Sequence, residues 1–424
     1  MTETLGSSNM ILTVESIPTY LKEHWELIGL SSKTSKEDAL KGIEVTTILG
    51  GNVNYAFCIK FPSMNGKTVF LKQAPEFVAI FGPDGFPLTS ERMQRELDVY
   101  SEYKTILGDT LSKKYLPDIY YFDKKHMIVI MEFLDGHDLL DQALVSEKSS
   151  SSSLEDDDCS NNEEKIAVCL GDFMGRVHSA THSSNVSKER FDYLTKHFEN
   201  REMRDVQLEF VFTKCYKEAT NEQRSGLTLT PEFMKEIELL KKQYNGAGGG
   251  GHVLCHGDLH PGSVMVNTSN GSTKVIDPEF TVYGPAGLDV GSLLHGYCLG
   301  AIHQAYSNNP MAVNRIILSA ETLWYSYKKA LMNNDDNNNG ISAGTMKEIE
   351  IETVGFTVAE VCRTCLGFAG GRLWLQFDNA ETKAASIKAA LQLVDKCMIA
   401  RHEGGIDLLF NELKKICNSR SDLN

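Results

Sequence analysis

The order of apolar and polar positions separates the chain into an early part rich in strands and a longer part rich in helices. Short runs of alternating or β-branched residues occupy the first third of the chain, at 44–49, 55–60, 68–73, 118–123 and 127–134. Runs of this length and composition are typical of β-strands. From Ile166 onward, apolar residues recur every three or four positions, and this spacing predicts helices. The pattern therefore predicts an α+β protein.

A further pair of short strands is predicted beyond the middle of the chain, at 263–267 and 274–276, with a turn at 269–271. Two strands joined by such a turn form a β-hairpin. Asp258 precedes the first strand and Asp277 follows the second, so we expect both carboxylates at the open end of the hairpin, facing one cleft. The alternative is that Asp258 only caps a turn, but two acids that flank a hairpin favour a shared chemical role.

The residues around these two acids resemble the catalytic and metal-binding loops of the kinase superfamily. The first loop reads HGDLH from His256 and the second reads DPE from Asp277, where protein kinases carry H-R-D-L and D-F-G. Phosphoryl transfer depends on positioned groups and on neutralised charge. Asp258 is therefore predicted to accept the proton of an attacking hydroxyl, and Asp277 to bind magnesium. Ser263 stands where protein kinases have a metal-binding asparagine, which makes it a further candidate ligand.

Candidate nucleotide-binding residues lie on and between the early strands. The turn between the first two strands carries four of them: Gly50, Gly51, Asn52 and Asn54. Glycines let backbone amides approach phosphate groups closely, although a plain hairpin turn is the alternative. Lys72 lies near the end of the third strand and Glu96 lies on the next predicted helix. In a kinase lobe such a lysine binds the nucleotide phosphates and pairs with such a glutamate.

The kinase likeness implies roles for several other positions. Glu132, Phe133 and Leu134 end the fifth strand, where kinases have a linker whose backbone binds adenine. Asp289 occupies the position from which an aspartate supports the catalytic loop by hydrogen bonds in kinase-like small-molecule phosphotransferases. Arg363 lies among apolar residues, and a cation there needs an anionic or polar partner. That partner is either a substrate or a structural carboxylate, and the sequence leaves both open.

Composition excludes several classes of protein. The 424 residues are 42% hydrophobic and 23% charged, an ordinary globular balance. A net charge of −15 opposes binding to nucleic acid and to anionic membranes. No apolar run is long enough for a membrane helix, and the N-terminus lacks the pattern of a signal peptide. Ten scattered cysteines suit reduced thiols, so we expect a cytoplasmic protein.

The central block HGDLHPGS…VIDPEFTVYGPAGLDVG resembles the signature of the 5-methylthioribose kinase family, which is related to aminoglycoside phosphotransferases and choline kinases. The resemblance implies a bilobal protein-kinase-like α+β fold, commonly a homodimer. It implies transfer of phosphate from ATP, with Mg²⁺, to the anomeric hydroxyl of methylthioribose in methionine salvage. By motif, Asp258 is the catalytic acid and Glu279 joins Asp277 at the metal. Arg363 is carried over for the sugar, and Phe86 stands in a flap where relatives carry tryptophan.

The predicted organisation has two lobes. Residues 1–134 form the N-terminal lobe, with an antiparallel sheet and a preceding helix, and residues 135–424 form the mainly helical C-terminal lobe with the catalytic loops. The acidic, serine-rich segment 146–164 cannot bury a core and is predicted to be a disordered insertion. Two alternatives for function remain. One is another small-molecule kinase of the same fold, acting on choline, homoserine or an aminoglycoside, and the other is a nucleotide-binding pseudoenzyme.

Overall fold

The computed structural model describes residues 10–30, 34–49, 53–146, 157–247, 250–332, 341–369 and 371–421. The chain forms two compact units. Unit 1 contains Met1–Ser101 and Leu116–Gly136, and unit 2 contains Glu102–Tyr115 and His137–Asn424. The change of unit after Gly136 lies two residues from the boundary predicted at 134, but residues 102–115 belong to unit 2 instead of the N-terminal lobe.

Aromatic packing explains why residues 102–115 join unit 2. Tyr103 and Tyr115 both pack edge-on against Phe173, with ring centroids 5.3 Å and 5.8 Å away. The Tyr115 hydroxyl also donates a 2.6 Å hydrogen bond to Asp172. These contacts join residues that are 57 to 70 positions apart in the chain, so local sequence patterns do not reveal them.

Unit 1 is an antiparallel sheet with helices on both faces. Its strands are β1 (Glu44–Thr47), β2 (Tyr55–Phe61), β3 (Lys67–Gln73), β4 (Ile119–Asp123) and β5 (Ile128–Glu132), in the order β1-β2-β3-β5-β4. Its helices are α1 (Ile17–Ile28), α2 (Lys36–Ala39) and the first part of α3 (Arg92–Tyr115). These strands confirm the five predicted early strands.

Strand β5 shows why the sheet needs cover on both faces. Ile128 and Ile130 join the apolar cluster that contains α1, whereas Val129 and Met131 pack with Met93 of α3. Successive side chains of a strand point to opposite faces. A continuous apolar run therefore indicates a strand that is buried on both sides.

Unit 2 is mainly helical and holds two small antiparallel ladders. Its strands are β6 (Asp138–Leu139), β7 (His252–Cys255), β8 (Val264–Asn267), β9 (Ser272–Val275) and β10 (Val282–Pro285). The first ladder has the order β6-β8-β9, and the second pairs β7 with β10. The predicted hairpin is confirmed, because β8 pairs with β9 from Val264–Val275 to Asn267–Ser272.

Twelve helices of unit 2 are described, in addition to the end of α3. They are α4 (Leu140–Val145), α5 (Asp157–Thr181), α6 (Lys188–His197), α7 (Arg201–Glu209), α8 (Cys215–Glu218), α9 (Asn221–Arg224), α10 (Pro231–Lys242), α11 (Gly287–Tyr306), α12 (Pro310–Met332), α13 (Ala343–Arg363), α14 (Ala380–Cys397) and α15 (Arg401–Ser421). Almost every residue of α11 is buried, so this helix is the centre of the unit 2 core. Among the described residues, no helix has the length and apolarity of a membrane span.

The predicted disordered insertion at 146–164 is only partly described. Residues 147–156 lie outside the described residues, but α5 already begins at Asp157, so the prediction extended too far at its C-terminal end. Asn162 donates a 3.0 Å hydrogen bond to the Ser269 carbonyl, and Glu163 lies 3.3 Å from Arg315.

Close packing of α5 against α12 gives a prediction for stability. A Cβ atom on the buried Gly171 would lie 2.6 Å from the Leu323 carbonyl oxygen and 2.7 Å from the Tyr327 nitrogen. Gly171→Ala should therefore push the helices apart and lower the free energy of unfolding by about 1–3 kcal/mol, measured by urea denaturation.

Gly344→Ala is the matched control. It lies in the exposed first turn of α13, where the nearest atom to an added Cβ is 3.8 Å away. Alanine there should leave the free energy of unfolding unchanged or raise it by about 0.4–1 kcal/mol. Equal effects of the two substitutions would contradict the close α5–α12 contact.

Candidate functional site

A buried carboxylate holds two successive backbone N–H groups of the loop after β7. Asp289 of α11 accepts hydrogen bonds from the backbone nitrogens of His256 (2.7 Å) and Gly257 (3.0 Å). Gly257 has φ of +88°, and a Cβ atom there would lie 2.0 Å from the Phe280 carbonyl oxygen. Only glycine fits at this position. The turn therefore places Asp258 at a fixed point.

Buried histidines extend this support. His178 of α5 lies 3.2 Å from the Asp289 carboxylate and 3.1 Å from the Tyr327 hydroxyl. His256 bonds to the Ile276 carbonyl at 2.9 Å and so joins the loop to the residue before Asp277. Burial alone would raise the pKa of Asp289, but the hydrogen bond and charge of His178, with the backbone N–H donors, hold it below its usual range.

The Asp258 carboxyl group is partly exposed to solvent and has a raised pKa. Its side chain is 28% exposed, and burial raises the pKa of its carboxyl to about 7, although Arg363 and Arg372 oppose the rise. A carboxylate with a pKa near neutrality is suited to proton transfer.

Ser263 lies behind Asp258. It is buried, and its hydroxyl donates to the Asp258 carbonyl oxygen at 2.9 Å. Its backbone nitrogen donates to the His260 carbonyl oxygen at 2.8 Å. Ser263 thus braces the loop, and its predicted role as a metal ligand remains a prediction.

Asp277 and Glu279 form an acidic turn after β9. Asp277 adopts a left-handed conformation with φ of +64°, and carboxylate oxygens of the two residues lie within 4.8 Å of each other. Asn200 fixes the turn by donating to the carbonyl oxygens of Glu279 (3.0 Å) and Thr281 (2.9 Å). Two adjacent carboxylates fit a hard divalent cation such as Mg²⁺, which prefers oxygen ligands.

Two arginines act on Asp258, and the sequence indicated only one of them. Arg363, at the end of α13, forms an ion pair with Glu360 at 2.6 Å. It also interacts electrostatically with Asp258. Arg372 interacts electrostatically with Asp258 as well. The signal for Arg372 was its place before Leu373-Trp374-Leu375, since a cation among apolar residues needs a polar partner.

His260 lies between Arg372 and Asp258. The Arg372 guanidinium lies against its imidazole, with nitrogen–nitrogen distances of 3.0 Å and 3.4 Å. His260 Nδ1 accepts a 2.8 Å hydrogen bond from the Gly262 nitrogen. Burial and the arginine charges keep its pKa well below the usual range, so the ring is neutral. Its Nε2 faces the Arg372 guanidinium, which can only donate. That nitrogen lies 3.6 Å from the Asp258 carboxylate.

The predicted nucleotide-binding residues belong to unit 1. Lys72 and Glu96 form a buried ion pair at 2.6 Å. Asn54 accepts a 3.1 Å hydrogen bond from Arg92, a buried arginine that also binds the carbonyl oxygens of the surrounding loops. Gly50, Gly51 and Asn52 lie outside the described residues.

The predicted linker and flap residues also lie in unit 1. Glu132 ends β5 and exchanges hydrogen bonds with the backbone of Asp118, and Phe133 and Leu134 follow it, half-buried. Phe86 is 48% exposed, and its loop exposes Ile80 and Phe81 even more. The loop is thus apolar and accessible, as a flap requires, and its contact with substrate remains a prediction.

The support of the loop by Asp289 gives a prediction. Asp289→Asn keeps the shape of the side chain but turns one acceptor oxygen into a donor beside buried N–H groups. We expect the free energy of unfolding to fall by about 1–3 kcal/mol, measured by urea denaturation. Asp192→Asn, which alters an exposed ion pair with Lys188, is the control and should change it by less than about 0.5 kcal/mol. Equal changes would show that the two N–H···carboxylate bonds contribute little.

The chain is similar to curated kinases from bacteria and a plant. It is 27% identical to a methylthioribose kinase of Escherichia coli O45:K1 over 73% of this chain and 68% of that protein. It is 26% identical to one of Bacillus pumilus, over 76% and 79% of the two chains. It is 22% identical to methylthioribose kinase 1 of Oryza sativa subsp. japonica, over 86% and 87%.

A solved structure supports the fold. A glucosamine kinase in complex with glucosamine, ADP and inorganic phosphate aligns with 90% of this chain and 86% of its own, with a TM-score of 0.50 and 12% identity. At this identity the likeness shows the fold alone, and it confirms the predicted protein-kinase-like α+β class. The model of the phosphotransferase enzyme family matches residues 68–310. This range is more than half of the chain, and it includes the loops that carry Asp258 and Asp277. The chain therefore belongs to the phosphotransferase enzyme family.

Proposed function

We propose that this phosphotransferase is an ATP-dependent kinase that phosphorylates the anomeric 1-hydroxyl of 5-methylthioribose, a step of methionine salvage. The proposal depends on the geometry of unit 2. Asp289 fixes the loop that carries Asp258, and carboxylate oxygens of Asp277 and Glu279 lie within 4.8 Å of each other. The names of the curated relatives support the choice of sugar, since methylthioribose kinases from E. coli and rice align along most of this chain.

Asp258 is proposed to accept the proton of the attacking hydroxyl. In its ionised form the carboxylate orients the hydroxyl oxygen, and it takes the proton as the new oxygen–phosphorus bond forms. The hydrogen bonds from the loop backbone to Asp289 keep Asp258 in position. Preorganisation of this kind is a large part of the catalytic effect when a reaction depends mainly on positioning.

Arg363 and Arg372 are proposed to bind the sugar and to lower the pKa of Asp258 at the same time. Without their charges the burial of Asp258 would raise its pKa further, and the carboxyl group would stay protonated at neutral pH. The arginines thus keep the base active in surroundings that exclude most water.

Asp277 and Glu279, with Ser263 as a further candidate, are proposed to hold Mg²⁺, and Lys72 to bind the nucleotide phosphates. When bound, Mg-ATP would supply the γ-phosphoryl group: its bond to ADP breaks as the sugar oxygen attacks, ADP leaves, and Mg²⁺ would neutralise charge on the phosphate oxygens. The homodimer, the cytoplasmic localisation and the lack of nucleic-acid and membrane partners remain predictions from the sequence.

ADP release tests the reaction and the substrate. We expect turnover with methylthioribose, ATP and Mg²⁺, and little or none with ribose, choline, homoserine or an aminoglycoside. Asp258→Asn should reduce kcat by about 10²–10⁴-fold, the usual contribution of a general base, with little change in the melting temperature. Turnover with another acceptor alone would contradict the substrate, and full activity of the variant would contradict the role of Asp258.

The pH dependence of kcat/KM tests the electrostatics. Asp258 acts when ionised, so kcat/KM should fall as the pH decreases through the pKa of about 7. An unperturbed aspartate would keep its activity to about pH 4. Arg372→Met removes a charge that lowers this pKa, so the acid limb should move to higher pH.

Arg176→Met is the control for the pH profile, because it removes an exposed arginine whose partner is Asp172. Its acid limb should coincide with that of the wild type. An acid limb that stays in place in Arg372→Met would contradict the coupling of Arg372 to Asp258.

A further inference from the structure

Three buried polar atoms around Arg363 make no hydrogen bond within the described residues: His295 Nε2, Arg363 Nε and Trp374 Nε1. A fourth atom, Glu360 Oε2, contacts the Arg363 guanidinium at 2.6 Å. His295 and Trp374 are each 1% exposed and Glu360 is 6% exposed. Buried polar atoms are almost always paired, because an unpaired one loses its hydration without compensation. Three unpaired atoms beside a buried carboxylate indicate a ligand that forms the hydrogen bonds they lack.

The four atoms belong to one region of unit 2. The rings of His295 and Trp374 are perpendicular, with centroids 5.7 Å apart. Arg363 forms an ion pair with Glu360, and both charges act on His295. Glu360 and Arg363 act on Asp258 as well.

The packing of α11 places His295 beside the catalytic loop. A Cβ atom on the next residue, Gly296, would lie 2.2 Å from the Pro261 ring. The helix backbone therefore touches the loop that carries Asp258, and this close approach requires a glycine.

The tautomer of His295 shows what its free nitrogen can do. His295 Nδ1 contacts the Ser292 carbonyl oxygen, which can only accept, so Nδ1 carries the proton. Burial lowers the pKa of His295 to about 4, and the ring is neutral at physiological pH. Its Nε2 is thus an acceptor, and it needs a donor such as a hydroxyl group.

We propose that His295, Glu360, Arg363 and Trp374 form a subsite that binds two neighbouring ring hydroxyls of the sugar, beside the hydroxyl that Asp258 deprotonates. The proposal rests on the proposed function for the identity of the sugar. Each hydroxyl both donates and accepts a hydrogen bond, so a vicinal diol matches two acceptors and two donors. The quaternary ammonium of choline has no N–H to donate and no acceptor, so it would form a hydrogen bond with none of the four atoms.

The subsite also gives Glu360 a function beyond its ion pair. Its Oε2 lies 2.6 Å from Arg363 Nη2, and a carboxylate oxygen has a second lone pair that can accept from a hydroxyl group. Adjacent carboxylate and guanidinium groups can accept from one hydroxyl and donate to the next. The sequence left open whether the partner of Arg363 is a substrate or a structural carboxylate. In this subsite Arg363 has both partners, the sugar and Glu360.

A cycle of protein and ligand changes tests the subsite. His295→Phe keeps the ring and its contact with Trp374 but removes the acceptor. The ligands are 5-methylthioribose and its 2-deoxy and 3-deoxy analogues, and the readouts are Kd by calorimetry, with and without ADP, and kcat/KM. In the wild type, at least one deoxy analogue should bind about 10–100-fold more weakly, the range for a hydrogen bond to a buried or charged group.

In His295→Phe the full sugar should bind about tenfold more weakly. The deoxy penalty, which is the Kd of the deoxy analogue divided by that of methylthioribose, should fall towards one. The melting temperature should stay the same or rise, because an unpaired acceptor is removed. A purely structural histidine would instead give a lower melting temperature and an unchanged deoxy penalty, and that result would overturn the subsite. Glu360→Gln provides the second variant, with the same expected loss of discrimination.

His252→Phe is the matched control. His252 Nε2 is also buried without a partner among the described residues, but its ring packs against Phe191 and Tyr283. This variant should keep the wild-type deoxy penalty.

Binding and turnover separate this proposal from the proposed function. Sugar binding that depends on the diol, without phosphorylation, would sink the proposed function and keep the subsite. Normal turnover of methylthioribose with a deoxy penalty that His295→Phe leaves unchanged would overturn the subsite and keep the proposed function. No binding of any of the three sugars would overturn the subsite.

Discussion

The position of the catalytic loop depends on one buried carboxylate. Asp289 binds the backbone N–H groups of His256 and Gly257, and its other contact, His178, comes from α5. Backbone groups in a turn have no neighbouring strand or helix to satisfy them, so a side chain must do so. Because Asp289 is on the central helix α11, the loop that carries Asp258 is anchored to the most deeply buried element of unit 2.

A second constraint is the cost of charge in this environment. Asp258, Glu360, Arg363 and Arg372 lie within electrostatic reach of one another, and each would be unfavourable alone in a site of low polarity. Together they carry two negative and two positive charges. This balance offsets part of the cost of burial, which still raises the pKa of Asp258 to about 7. Under the proposed function the arginines would also bind the sugar, and this role would account for buried charges that a core selected for stability alone would replace with apolar residues.

Much of the fold and the centre of the site could be predicted from the sequence. The strands of unit 1 and the hairpin β8–β9 follow from apolar patterns of a few residues. The acids Asp258 and Asp277 follow from their places at the ends of that hairpin.

The remaining features depend on contacts that are distant in sequence. Arg372 and His295 lie on different elements from Asp258. Arg372 acts on Asp258 across more than a hundred residues of sequence, and His295 precedes the glycine of α11 that packs against Pro261. Residues 102–115 look like the continuation of one helix, and their assignment to unit 2 depends on Phe173. The start of α5 at Asp157 was hidden by an acidic, serine-rich composition that by itself predicts disorder.

The phosphorus NMR spectrum of the product formed from ATP, Mg²⁺ and methylthioribose is the first measurement to make. If Asp258 directs phosphate to the anomeric oxygen, one new phosphate monoester resonance should appear, coupled to the anomeric proton, and it should be absent with Asp258→Asn. A phosphate coupled to any other ring proton, or no new phosphate ester at all, would rule out this role of Asp258.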